Sequence, residues 1–315
     1  MGSEMCIRDR YIHYFKLPQD VSNIKNPWDF VIEDIKNPIT EVVIKRGLSF
    51  KLFGLELSQL NQYRNIVPKL VNNLWRELKS MGISDVFASE HAERLREMLK
   101  DPTFAECMSL VLPSPRGRAR SLYEKTSKAY EVWLLSKVLK ALYNLGAKPQ
   151  SDKLWISFTT NMPAAKMKYR DKFVYVFYQP SIVPHIMSMF LPSPKRVHAV
   201  PDIAIAILEK EEYIDWGRLI NYAERVPLVI EAKLSLTGST KYETIDMTIS
   251  QVKAYRELLN NVPTVIVPIY HGNKLAVHRL KSVVGVKVID NVNPENPERV
   301  KEFIKYIEMI IKRRL

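Results

Sequence analysis

The sequence predicts an α/β protein, with a mainly helical N-terminal subdomain followed by a central sheet flanked by helices. Three observations carry that expectation. Between residues 58 and 111, apolar residues recur at three- and four-residue steps, the spacing of one helix face. The stretch Leu112-Pro113-Ser114-Pro115-Arg116-Gly117-Arg118-Ala119-Arg120 then breaks the pattern with prolines, a glycine and arginines, as a linker does. Beyond it, short apolar runs alternate with long helical stretches, which is an α/β order.

Residues 1 to 10 look foreign to the rest of the chain. Met5-Cys6-Ile7-Arg8-Asp9-Arg10 resembles translated adapter sequence, so these residues stand outside the fold expectations. Residues 39 to 55 read as strands that turn at Arg46-Gly47. Ser58 then caps a helix whose stripe is Leu60, Tyr63, Val67, Leu70, Leu74 and Leu78, with a kink expected at Pro68 and an end at Met81-Gly82. Ser84 is expected to open a second helix to about Lys100, and Asp101-Pro102 a short third. This assigns residues 11–112 to an N-terminal subdomain and 113–315 to a second domain.

In the second domain a helix is expected from about Ser121 to Leu145, stopped by Gly146. The apolar runs at 154–158, 173–178, 203–208, 228–234, 264–269 and 275–277 read as strands. A helix over about 241–260 starts with Thr240 and Glu243 placed as a capping box. The last helix, about 297–314, keeps Val300, Phe303, Ile304, Ile307, Ile310 and Ile311 on one face.

Composition narrows the function classes. The 315 residues suffice for two domains with real cores. A hydrophobic share of 46% excludes a largely disordered chain, and 10 glycines exclude a collagen-like one. Cys6 and Cys107 cannot form a disulfide scaffold or a cysteine zinc site, and they point to a reducing, cytoplasmic compartment. No apolar stretch approaches the roughly 20 residues of a membrane span, and no secretory leader pattern opens the chain, so no membrane partner is expected. The net charge of +13 fits either a solvated lysine surface or a polyanionic partner.

No GxxxxGK[ST], GxGxxG, GxSxG or HExxH motif occurs, so the chain carries no recognisable NTPase, dinucleotide, nucleophile-elbow or zincin signature of its own. The chemistry lies in charges set into apolar strands. Asp202 opens the run Ile203-Ala204-Ile205-Ala206-Ile207, and Glu231 and Lys233 interrupt Leu228-Val229-Ile230-Glu231-Ala232-Lys233-Leu234. Glu231 and Lys233 are two apart, so they share a face, about 7 Å apart along the strand. A central strand carries charges only where they are paired or bind something. Two carboxylates and an amine at one sheet end suit a divalent metal, and oxygen ligands suit Mg²⁺ or Mn²⁺.

Pro201-Asp202 followed by Glu231-Ala232-Lys233 resembles the PD-(D/E)xK nuclease signature. Glu131, on the apolar stripe of the preceding helix, matches the glutamate that completes the metal site in many members. Gln251-Val252-Lys253-Ala254-Tyr255 matches the QxxxY motif of RecB-like members, and 122–146 is similar to the corresponding helix of McrC-like ones. The resemblance covers about residues 120–280. It implies a restriction-endonuclease-like fold and a Mg²⁺- or Mn²⁺-dependent nuclease acting on DNA, endonucleolytic by family habit. Asp202, Glu231, the Ala232 carbonyl and Glu131 would hold the metal, Glu131 directly or through water. Lys233 would orient the attacking water or stabilise the oxyanion, and Gln251 would position the nucleophile or a phosphate. A homodimer or a separate NTPase motor subunit are the partners it implies. A protein that keeps the fold and binds DNA without cutting is the other class.

Plainer readings stand beside these. Glu131 could be a helix-surface carboxylate paired with Lys128 or Lys137, with Glu124 as a competing candidate. Gln251 could be an ordinary polar position, Tyr255 core packing, and His198 a loop residue. Arg116, Arg118 and Arg120, Lys195 and Arg196, and Lys166, Lys168, Arg170 and Lys172 are either phosphate contacts or solvated basic positions.

Overall fold

The computed structural model describes residues 51–52, 55–101, 115–158, 162–180, 200–212, 214–234, 236 and 245–315. The elements run β1 (Lys51–Leu52), β2 (Leu55–Glu56), α1 (Leu57–Ser80), β3 (Asp85–Ala88), a 3₁₀ turn (Glu90–Ala92), α2 (Glu93–Lys100) and α3 (Pro115–Asn144). Then come β4 (Lys148–Pro149), β5 (Lys153–Ile156), β6 (Pro163–Tyr169), β7 (Lys172–Tyr178), β8 (Ile203–Leu208), α4 (Trp216–Leu219) and a 3₁₀ stretch (Ile220–Arg225). The chain finishes with β9 (Leu228–Lys233), α5 (Ile245–Leu258), β10 (Thr264–Pro268), α6 (Lys274–Val284), β11 (Lys287–Val288) and α7 (Pro297–Lys312). Two compact units divide it, one of residues 1–68 and 97–126, the other of 69–96 and 127–315. In the first, β1 and β2 form an antiparallel pair. The expected strands at 39–50, the capping pair Thr240 and Glu243, and the third helix at Asp101-Pro102 fall outside the described residues, apart from Asp101.

The second unit is built on a mixed seven-stranded sheet of order β11-β10-β9-β8-β7-β6-β4. β9, β10 and β11 are parallel, whereas β8 is antiparallel to both β7 and β9. One edge of the sheet therefore gathers the carboxyl ends of β7, β9 and β10 and the amino end of β8, the edge at which α/β sheets place ligands. Both faces are covered. β9 and β10 are buried at every residue, as strands with helices on both sides must be.

On one face, Phe173, Tyr175 and Phe177 of β7 and Ala204, Ala206 and Leu208 of β8 pack with Trp216, Leu219, Ile249, Val252, Ala276 and Leu280. Tyr175 and Phe177 stand beside Ala206 and Ala204 in register, so the small side chains of β8 make room for the rings. The Phe177 ring meets Trp216 at 5.2 Å between centroids, in tilted geometry. On the other face, the Tyr130 hydroxyl of α3 donates to the carbonyls of Val267 and Val292 at 3.2 and 2.9 Å. Every residue of α3 from 129 to 139 is buried, so this stretch has no solvent face.

Several elements differ from the sequence expectation. Asp85–Ala88 is a strand paired parallel to Lys153–Ile156, not the start of a helix, because Val86 is buried in that pairing; the helix begins only at Glu93. α3 begins at Pro115, six residues earlier than Ser121. Proline suits a first helical turn, where its missing N–H has no partner to lose. Leu275–Val277 is the first turn of α6, not a strand. Asn273 caps it through a 2.9 Å bond from the Leu275 N–H, and Ala276, Leu280 and Val284 are buried at four-residue steps. α1 starts at Leu57, which puts Ser58 inside its first turn and not at its cap. Its end agrees with the expectation. Gly82 has φ 83°, and the N–H groups of Ile83 and Gly82 return to the carbonyls of Leu78 and Lys79, a Schellman close.

Candidate active site

The site arises where two strands part. β8 and β9 pair through Ile203–Ile230, Ala204–Val229 and Ile205–Leu228, so one further step sets Asp202 level with Glu231. There the Asp202 side chain replaces the ladder: its Oδ2 accepts the Ala232 N–H at 2.7 Å. On its other side the Asp202 carbonyl accepts the Gln179 N–H at 2.8 Å. Asp202 thus sits in a fork, held by β7 through its backbone and by β9 through its carboxylate. A strand residue points its N–H and C=O the same way, so the Ala232 carbonyl faces this gap too.

Glu231 is fully buried, and its Oε1 accepts a 2.7 Å charge-assisted bond from Lys233 Nζ. Glu131 is 4% exposed and enters from α3. Ser127 and Lys128, one turn earlier, donate to its Oε1 at 3.2 Å each, and Lys128 reaches Oε2 at 3.0 Å. The Tyr178 hydroxyl and the Gln179 amide donate to Oε2 at 2.9 and 2.8 Å. The Lys128 ammonium also lies 5.5 Å from the Phe158 ring, which tilts against Tyr178.

Among the described residues, three carboxylates therefore cluster with two amines. Burial pushes the Asp202 carboxyl well above its ordinary range, and the charges of Glu231 and Glu131 push it further, while Lys233 and Lys128 pull it back. Burial likewise raises the Tyr178 hydroxyl, reinforced by Glu131, so it stays a donor to that carboxylate. Among the described residues this cluster holds one carboxylate more than amines.

The donor set fits a hard cation, with limits. Among the described residues no group of three or more His, Cys, Asp or Glu side chains is disposed to hold a metal ion. Both oxygens of Glu131 are taken by protein donors. Asp202 and Glu231, with the Ala232 carbonyl, remain as an all-oxygen set. Mg²⁺ is commonly held by one or two carboxylates with waters filling its octahedron. Of the two roles expected for Glu131, direct ligand or holder through water, this geometry suits the second.

The other sequence-derived candidates separate. Gln251, on α5, donates from Nε2 to the Val200 carbonyl at 3.1 Å, two residues before Asp202. Tyr255 lies one turn later on α5, and Arg116, Arg118 and Arg120 lie in the first turns of α3; their side chains are outside the described residues, as are Lys195, Arg196 and His198 entirely. Glu124 is exposed, away from the buried run that holds Glu131. Lys137 pairs with Glu77, not with Glu131.

The β6–β7 hairpin turns at the far end of the sheet, seven residues from Lys172 to Gln179, or about 23 Å at strand rise. Lys166 and Lys172 there pair with Glu211 and Glu209, and Lys168 and Arg170 lie over Phe173 and Tyr169. These four are not beside the pocket, because β7 carries them away from it. Tyr178, Gln179 and Ser127 are site residues that sequence reasoning missed. A polar residue directly after an apolar strand, next in register to the strand that Asp202 opens, was the available signal.

Compared with known proteins, the chain matches no protein family, no curated protein and no solved structure. Among the described residues no helix is long and apolar enough to cross a membrane.

Proposed function

We propose that this protein is a metal-dependent nuclease that hydrolyses DNA phosphodiester bonds within the chain, using Mg²⁺ or Mn²⁺. One observation carries the reading: buried Asp202 and Glu231 stand level at the split between β8 and β9, with Lys233 bonded to Glu231. The resemblance to PD-(D/E)xK nucleases supports the same chemistry and the choice of DNA. The net charge of +13 suits a polyanionic substrate.

The residues divide the work. Asp202 and Glu231 bind the cation through oxygen, and the Ala232 carbonyl lies on the same side of β9 as Asp202. Held there, a divalent cation would supply a lowered pKa for bound water and would neutralise charge developing on the phosphate. Lys233 is the one amine on the strand that carries Glu231, placed to donate to the attacking water or to a phosphate oxygen. Glu131 orients water from its cage on α3. The water oxygen bonds to phosphorus as the phosphorus–oxygen bond to the leaving strand breaks; the water gives up one proton to solvent and the departing oxygen takes one from solvent, so one water is consumed.

The test is cleavage of plasmid and single-stranded DNA with Mg²⁺, Mn²⁺ or EDTA. The reading predicts cutting with either metal, none with EDTA, and a loss of about 10²-fold or more in Lys233→Ala while DNA binding persists. Metal-independent cutting, or full activity in folded K233A, rejects it.

A further inference from the structure

We infer that Gln179 is a positioning residue that ties Glu131 on α3 to Asp202 on the sheet; this rests on the nuclease reading above. Gln179 bonds to both acids. Its backbone N–H holds the Asp202 carbonyl at 2.8 Å, and its side-chain amide holds Glu131 Oε2 at 2.8 Å. One residue thus joins the Glu131 carboxylate on α3 to the Asp202 backbone on the sheet, through two different groups.

The backbone at this position is unusual. Gln179 has φ 46°, the left-handed region that glycine and asparagine favour. Such a conformation costs a side-chain-bearing residue something, and it persists where the surroundings dictate it. Here it turns the chain out of β7 directly after Tyr178, whose own hydroxyl bonds to the same Glu131 oxygen at 2.9 Å. A glycine would satisfy the backbone better but would leave Glu131 without its amide donor. The side chain is therefore what the position gains from glutamine. With Gln179 in place, Glu131 is tied to the strand end that holds Asp202; without it, Lys128, Ser127 and Tyr178 fix the carboxylate.

The test uses Q179G and Q179N in the full chain. Both residues accept the left-handed backbone and keep the N–H to Asp202, and neither reaches Glu131. Mn²⁺ affinity is titrated by paramagnetic resonance, and kcat and KM for DNA are measured, each in the wild-type and E131Q backgrounds. Near-ultraviolet circular dichroism establishes that each variant is folded. The inference predicts Mn²⁺ affinity weakened about tenfold or more, kcat lowered with KM little changed, and no further loss when E131Q is already present. Unchanged Mn²⁺ affinity in either folded variant overturns it, as does an equally large loss in the E131Q background. A wild-type protein that binds Mn²⁺ but leaves DNA intact rejects the nuclease reading alone, and the Mn²⁺ titration still decides Gln179. A wild-type protein that binds no Mn²⁺ rejects both.

Discussion

α3 contributes one member to each of two buried charge clusters, and they are built differently. Glu131 belongs to the strand-end pocket. Lys137, less than two turns further on, pairs with Glu77 of α1 and donates to Asn73, which also accepts the Trp133 indole N–H at 2.9 Å. The Lys137 ammonium lies 4.9 Å from the Trp133 ring. In this helix-layer cluster one amine meets one carboxylate, with a neutral acceptor and an aromatic face beside them, while Arg76 and Lys140 add positive charge near the amine. At the strand end, burial and the charges of Glu231 and Glu131 raise the Asp202 carboxyl. The first arrangement lowers the pKa of its amine, and the second raises that of a carboxylate.

The comparison can be broken most severely in the helix layer. Glu77→Ala leaves Lys137 buried without its carboxylate, and a loss of about 3 kcal/mol in unfolding free energy is expected. Lys137→Met, which fills the same space with an apolar chain, should recover most of that loss in the double variant. Denaturant unfolding measures both. A harmless E77A would show that Lys137 does not depend on the pair.

Smaller in size is a pH dependence. Burial first, then the charges of Arg76 and Lys140, lower Lys137 from 10.5 to about 7 despite Glu77. Between those values the unfolded chain carries a proton that the folded protein lacks, so stability should rise with pH across that window. The limiting slope is about 1.4 kcal/mol per pH unit. Unfolding free energies of wild type and K137M, compared between about pH 7 and about pH 9, should show the slope in wild type and its reduction in the variant. Parallel curves would place the slope elsewhere.

The smallest effect returns to the strand end. The Asp202 carboxyl is raised in the folded state, so the folded protein holds its proton more tightly than the unfolded chain. Stability from this group is present at low pH and is lost as pH rises through the raised value. Asp202→Asn keeps an acceptor for the Ala232 N–H and removes the charge. The metal-free variant should therefore melt above metal-free wild type near neutral pH, by a gain on the order of 1 kcal/mol. A lower melting point would mean that the ionised carboxylate is stabilising there.

The acids were legible because they break strong local patterns. Asp202 and Glu231 interrupt runs of isoleucine, valine and leucine, and Glu131 lies on a stripe with Leu134, Leu135 and Val138 where no solvated carboxylate belongs. The C-terminal helix was legible for the same reason, since Phe303, Ile307 and Ile311 recur on one face and are buried. The mixed sheet with flanking helices agrees with the expected α/β order. Short elements were not legible. Four residues, Asp85–Ala88, become a strand only because β5 lies beside them, and Leu275–Val277 is helical because Asn273 caps it and the helix continues to Val284. Nor could the sequence show Gln179 on Glu131 or Glu77 on Lys137, contacts 48 and 60 residues apart along the chain. Periodicity reports which face a residue takes, not which distant partner meets it.

The most direct test of the central claim is thermal unfolding against added Mg²⁺ for wild type, D202A and K137M. Wild type and K137M should both be stabilised, by about 2.7 kcal/mol at a hundredfold excess over the dissociation constant, while D202A should not respond. An equal response in D202A, or none in wild type, would contradict a cation site between β8 and β9.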